Sequence, residues 1–259
     1  MGEAVKKTKN VSHLKIVDGN TLKSKRIKAD GSVDQRYKNT GNKKAGVSSK
    51  VYFLTREEIE LMKNAILKNI EDSCEPTNEL MHRRNYALFC MGINVGLRIS
   101  DLIKFKWSDV FDKNWEVKDM ISLKPKKTER FNKYVTIIFN DSFKTAVQDY
   151  KEEVKRLRDL PKLDDYIFWG KMYSEEPIQE KSFCAIMKKI AKAAGIKKNI
   201  GTHTLRKTFG RNFYMESKDR AYALRMLQEC FGHESPYTTL TYIGVTLEEQ
   251  VNFYNSVNL

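Results

Sequence analysis

The chain has 259 residues, 41% hydrophobic and 31% charged, with a formal net charge of +14. That is enough for a sizeable core, in one large domain or two small ones. No apolar run approaches the roughly 18 residues of a membrane helix and no apolar leader opens the chain. The four cysteines (Cys74, Cys90, Cys184 and Cys230) form neither a CxxC zinc pair nor a disulfide framework. The expectation is a cytoplasmic protein with reduced thiols. Its basic balance points to an anionic partner, nucleic acid first, although a merely soluble basic protein has the same balance.

Residues 1–50 stand apart. They hold 13 Lys/Arg against 4 Asp/Glu, so +9 of the +14 lies here, and Tyr37 is their single aromatic residue. With turn-forming stretches such as Ala29-Asp30-Gly31-Ser32 and too little apolar surface for a core, they read as a basic arm or linker. Such an arm suits DNA phosphates; a disordered tail has the same composition.

The globular part, residues 51–259, opens near Tyr52. Thr55 followed by Glu57 and Glu58 marks a helix start, and Ile59, Met62, Ala65, Ile66 and Ile70 recur at helical spacing. A second helix is predicted from Thr77 to Val95, ended by Gly96. Ile99, Leu102, Ile103 and Phe105 suggest a third, short one. The period then changes. Met120–Leu123 and Tyr134–Phe139 read as strands joined by a charged loop over Lys124–Lys133. Asp141-Ser142 caps a further helix with Phe143, Val147, Tyr150, Val154 and Leu157 inside. Tyr166–Trp169 reads as a short strand. Ser182 opens a helix closed by Gly195. Helices follow over 203–216 and 219–231, and Ser235-Pro236 starts one carrying Tyr242. A last amphipathic piece, within a tail of about 245–259, has Leu247, Val251, Phe253 and Tyr254. The class is mainly α with one small antiparallel sheet.

Several polar residues ask for a purpose. His203 and Arg206 are three apart and share a helix face, which Lys207 and Arg211 extend as positive charge. Paired arginines suit a phosphate, since each guanidinium forks two hydrogen bonds onto its oxygens. Arg98 follows the Gly96 break, with Asp101 placed to brace it. Lys124, Lys126, Lys127 and Arg130 make the hairpin loop basic. His233 follows a helix-ending glycine, and Tyr242 comes nine residues later. Read singly, each fits a blander place: a solvated basic face, a surface ion pair, a helix cap, a core tyrosine or a hairpin tip.

In order, the set resembles the tyrosine recombinase (phage integrase) family. The matching pieces are Gly96-Leu97-Arg98-Ile99-Ser100-Asp101-Leu102, Lys127-Thr128, His203-Thr204-Leu205-Arg206, Leu227 with Phe231-Gly232-His233, and Thr238 with Tyr242. The resemblance covers about residues 52–250. It implies the DNA breaking-rejoining catalytic fold and strand transfer without metal, ATP or other cofactor. Tyr242 would be the nucleophile, forming a 3′-phosphotyrosyl link. Arg98 and Arg206 would hold the phosphate oxygens, His203 would assist proton transfer and His233 would add a hydrogen bond. Lys127 would protonate the leaving 5′ oxygen, with Lys124 and Lys126 as neighbouring alternatives. Asp101 would support Arg98, and Lys124, Lys126, Arg130, Lys207 and Arg211 would contact DNA. The implied partner is double-stranded DNA, with a homo-tetramer on two sites and no membrane, in a bacterial or phage-encoded protein of a mobile element. Family members carry an N-terminal helical domain that closes around DNA; here only the first 50 residues precede the catalytic part. A type IB topoisomerase-like nicking-closing enzyme and a non-catalytic DNA-binding regulator are the alternatives.

Overall fold

The computed structural model describes residues 51–124, 134–170, 175–245, 251–252 and 255–256. The basic arm, most of the hairpin loop and most of the C-terminal amphipathic piece lie outside them.

Helix α1 (Arg56–Glu71) starts on a reciprocal cap. The Thr55 hydroxyl accepts from the Glu58 amide, and the Glu58 carboxylate accepts from the Thr55 amide at 2.8 Å. Helix α2 (Pro76–Val95) is the central rod. It packs against α1, against α5 (Asp141–Leu157) and against α7 (Thr204–Glu216), and is buried almost all round from Arg84 to Gly92. Gly92 is required by that packing: a β-carbon there would collide with the Leu205 side chain of α7. Helix α2 ends on Gly96, whose φ of 64° is the left-handed conformation that glycine adopts without strain. A side chain at Gly96 would also strike the Phe209 ring.

Two short helices follow, α3 (Ile99–Leu102) and α4 (Trp107–Val110). The second was not predicted. The Asp109 carboxylate accepts from the Lys106 amide and starts it, and Trp107 is buried. Strands β1 (Met120–Leu123) and β2 (Val135–Ile138) pair antiparallel, with Met120 opposite Ile138 and Leu123 opposite Val135. Helix α5 is capped by Asn140 and not by Asp141-Ser142, because the Asn140 side chain accepts from the Phe143 amide. The predicted strand at Tyr166–Trp169 is not a member of the sheet. It makes only isolated bridges, Lys106 with Tyr166 and Trp169 with Pro177. Its apolar run is nevertheless buried: the guanidinium of buried Arg84 donates to the carbonyls of Trp169 and Gly170, and the Trp169 indole donates to the Tyr150 hydroxyl. Helix α6 (Glu180–Ala193) begins two residues before the predicted Ser182. Helices α7, α8 (Arg220–Phe231) and α9 (Pro236–Ile243) follow the predicted order, and Ser235 caps α9.

The apolar interior has two parts. A large one is built from α1 to α6 and reaches Leu205. A small one contains Tyr214, Ala223, Leu227, Phe231, Ile243 and Val245, from α7, α8 and α9. Helix α7 belongs to both. Among the described residues no helix is long and apolar enough to cross a membrane.

Candidate active site

Arg206 stands where the two cores meet. It is 4% exposed, and a buried guanidinium needs partners for its five N–H donors. Nη1 donates to the Gly96 carbonyl at 2.8 Å and Nη2 to the Phe231 carbonyl at 2.9 Å. Both acceptors sit at helix C-termini, those of α2 and α8, where the backbone dipoles present negative charge to the cation. The guanidinium also lies 4.4 Å from the Phe231 ring centre. Two helix ends and one ring thus fix the direction in which this side chain points.

Both of those helices end on a left-handed glycine, Gly96 and Gly232. Each glycine turns the chain so that the next residues approach Arg206. After Gly96 comes Arg98, whose side chain makes no hydrogen bond or ion pair with any described residue. Its charge nevertheless bears on His203, Arg206 and Tyr242. After Gly232 comes His233, whose Nδ1 lies 3.0 Å from the hydroxyl of buried Thr239. That contact fixes the imidazole plane. Thr239 is one turn before Tyr242 on α9, and its spacing of three is the signal that sequence reading passed over.

Tyr242 closes the cluster. Its hydroxyl is 3.0 Å from His203 Nδ1, and the two rings meet edge to face with centres 6.0 Å apart. The Phe231 and His233 rings flank it at 5.3 and 5.2 Å. Burial pushes the Tyr242 phenol above its ordinary value, against the pull of Arg206 and Arg98, so the resting group is protonated. His203 keeps an exposed edge, yet withdrawal of its imidazole from water lowers its pKa. Arg206, Lys207 and Arg98 push the same way, and Glu180 opposes them. A neutral imidazole beside a neutral phenol is the arrangement in which Nδ1 can accept the phenol proton.

A family model described as the phage integrase family matches residues 52–249. The chain belongs to the phage integrase (tyrosine recombinase) family. The probable integrase/recombinase YoeC of Bacillus subtilis is 35% identical over 164 residues, covering 63% of this chain and 79% of YoeC. The tyrosine recombinase XerD of Listeria innocua is 28% identical over 175 residues, 67% of this chain and 54% of that one. The chain therefore spans about half the length of the XerD relative. Among solved structures, XerA recombinase aligns with a TM-score of 0.57 at 22% identity, over 81% of this chain and 66% of that one. XerH site-specific recombinase bound to its palindromic difH substrate aligns at 0.55 and 23%, over 78% and 52%. At these identities the structural likeness is one of fold.

Within this integrase-family chain, five of the six residues singled out from the sequence converge: Arg98, His203, Arg206, His233 and Tyr242. The sixth, Lys127, lies outside the described residues, as do Lys126 and Arg130. Lys124 is exposed just after β1. Asp101 makes no side-chain bond to Arg98; its amide donates to the Arg98 carbonyl, and its carboxylate favours the charged Arg206. One expectation for α7 is corrected. Arg211 is not a DNA-facing cation: it is 6% exposed, with its guanidinium 4.8 Å from the Phe53 ring centre. Lys207, the other residue of α7 expected to contact DNA, is half-buried with its ammonium 5.0 Å from the ring centre of Tyr242.

Proposed function

We propose that this chain cuts and rejoins double-stranded DNA as a site-specific recombinase or integrase of a phage or mobile element, with Tyr242 as the nucleophile. The observation that carries this reading is the 3.0 Å approach of the Tyr242 hydroxyl to His203 Nδ1, beside the anchored guanidinium of Arg206. The Tyr242 oxygen attacks the scissile phosphorus and passes its proton to His203. A Tyr–phosphate bond forms while the bond to the 5′ oxygen breaks. Arg98 and Arg206 take the charge that grows on the non-bridging oxygens. Because Arg206 is already held by two carbonyls, it needs no reorganisation as that charge develops. His233, braced by Thr239, donates to the same phosphate. Lys127 supplies the proton for the departing 5′ oxygen. The covalent link conserves the phosphodiester energy, and a 5′ hydroxyl from the partner duplex reverses the step. Exchange between two duplexes needs four such nucleophiles, hence a tetramer on two sites; the mass of the DNA complex by light scattering tests this, and a stable monomer-only complex counts against it.

Family membership weighs against a topoisomerase-like enzyme, and the Tyr–His–Arg cluster weighs against a silent regulator. The test uses nicked duplexes tiled across the DNA on both sides of the gene, resolved on a denaturing gel. Wild-type protein traps a covalent adduct with one of them. Tyr242→Phe binds the same duplex and traps none; an adduct in that variant removes Tyr242 from the role.

A further inference from the structure

We propose that Lys207 is a positioning residue for the nucleophile, its ammonium seated against the Tyr242 ring so that the phenol stays on His203. The inference rests on the reading of Tyr242 given above and assigns a purpose to a residue which that chemistry leaves unused. Consecutive residues of α7, Arg206 and Lys207, engage two rings that touch each other. The Arg206 guanidinium is 4.4 Å from the Phe231 centre, the Lys207 ammonium 5.0 Å from the Tyr242 centre, and the ring centres are 5.3 Å apart. A cation near an aromatic ring is drawn to its negative face, and the attraction grows as water is excluded.

The geometry gives Lys207 a hold on the ring of Tyr242. Tyr242 lies on α9, which rests on the small core, and Lys207 lies on α7, which belongs to both cores and packs on α9 itself. The contact therefore ties the nucleophile to the helix that carries Arg206 and begins at His203. Charged and titratable groups bear on His203 from every side: Arg206 and Lys207 from α7, Arg98 from the turn after α2, Glu180 from α6 and Tyr242 from α9. Burial does most to keep the imidazole neutral; Lys207 is one of three cations that add to it, and its removal leaves two.

The test compares Lys207→Met, which keeps the length of the stem and removes the charge, with Lys207→Arg, which keeps the charge. The first readout needs no DNA. Nuclear magnetic resonance titration of the imidazoles in the full chain should show the His203 midpoint moving upward in K207M and staying near wild type in K207R. The second readout is adduct formation on the nicked duplexes. K207M should be about tenfold slower at neutral pH, with the gap widening in acid as His203 protonates earlier, and K207R should recover most of the rate. A His203 midpoint that ignores the charge at position 207, or a wild-type adduct rate in K207M, overturns the proposal. If wild-type protein forms no adduct, it is the reading of Tyr242 that fails, and the titration still judges the placement of Lys207.

Discussion

Arg98 and Arg206 stand on one kind of support, His233 and Tyr242 on another. Around the two arginines, Leu97, Ile99, Leu102 and Leu205 are all buried in the large core, and Gly92 lets α2 and α7 approach closely. The histidine and tyrosine hang on α8 and α9, whose interior is the small cluster of Tyr214, Ala223, Leu227, Phe231, Ile243 and Val245. Regions with few buried apolar contacts open at lower free energy than a main core. Phosphate-holding cations work best when already fixed. On the proposed reading of Tyr242, a group that carries a DNA strand and later releases it is served by a support that yields.

The largest break in this comparison should come from Arg206→Ala, which attacks both sides at once. Adduct formation should fall by at least about a hundred- to a thousandfold. Stability should drop by roughly 3 kcal/mol, because the Gly96 and Phe231 carbonyls lose their donor in a buried place. Urea unfolding reads the second effect, and an unchanged midpoint would show that the cation does not hold the two cores together. The two helix-ending glycines make a matched pair. Gly96 and Gly232 have nearly equal φ, 64° and 62°, but a side chain at Gly96 meets Phe209 while Gly232 faces open space. Gly232→Ala should cost about 1–2 kcal/mol for the backbone alone. Gly96→Ala adds overpacking and should cost about 2–4 kcal/mol. Equal costs would mean that the Phe209 ring moves aside freely for the added methyl.

Acid should act more gently. The His203 imidazole titrates below its usual range because burial and three cations oppose its charged form. On the proposed reading it should therefore accept the phenol proton down to a lower pH than a free histidine would. As pH falls through that depressed midpoint, Nδ1 becomes protonated and adduct formation declines. A rate profile whose acid limb lies above the ordinary imidazole value contradicts this. The smallest effect is one of motion: amide hydrogens of α9 should exchange faster than those of central α2 in the free protein, and the reverse order would invert the comparison.

Much of this was legible in local chemistry. The Thr55 cap, the Gly96 stop and the Ser235-Pro236 start rest on neighbours within four residues, and all three stand in the structure. So do the two strands, whose register follows their own alternation. The Tyr166–Trp169 run misled because β-branched and aromatic residues suit any buried extended segment, and here the backbone is shared between isolated bridges and the side chain of Arg84. Helix α7 was the hardest to read. Its first half is mostly buried and its last turn exposes Phe213 and Met215, so apolar periodicity is a poor guide, and its cations look solvated when they are packed on the rings of Phe231, Tyr242 and Phe53. The five-residue convergence was visible only as an ordered set of types; which carbonyls hold Arg206, and that Thr239 braces His233, depend on packing between distant segments.

The two carbonyls on Arg206 have a further consequence. One ends α2 and the other ends α8, so this side chain works as a rivet through the seam between the cores. A DNA phosphate gripping the remaining N–H donors would tighten the same rivet, since bound anion favours the guanidinium geometry that keeps both carbonyls in place. Occupancy of the site and cohesion of the molecule then become linked quantities. Free protein would loosen first at α8 and α9, and DNA-bound protein would come apart as one piece.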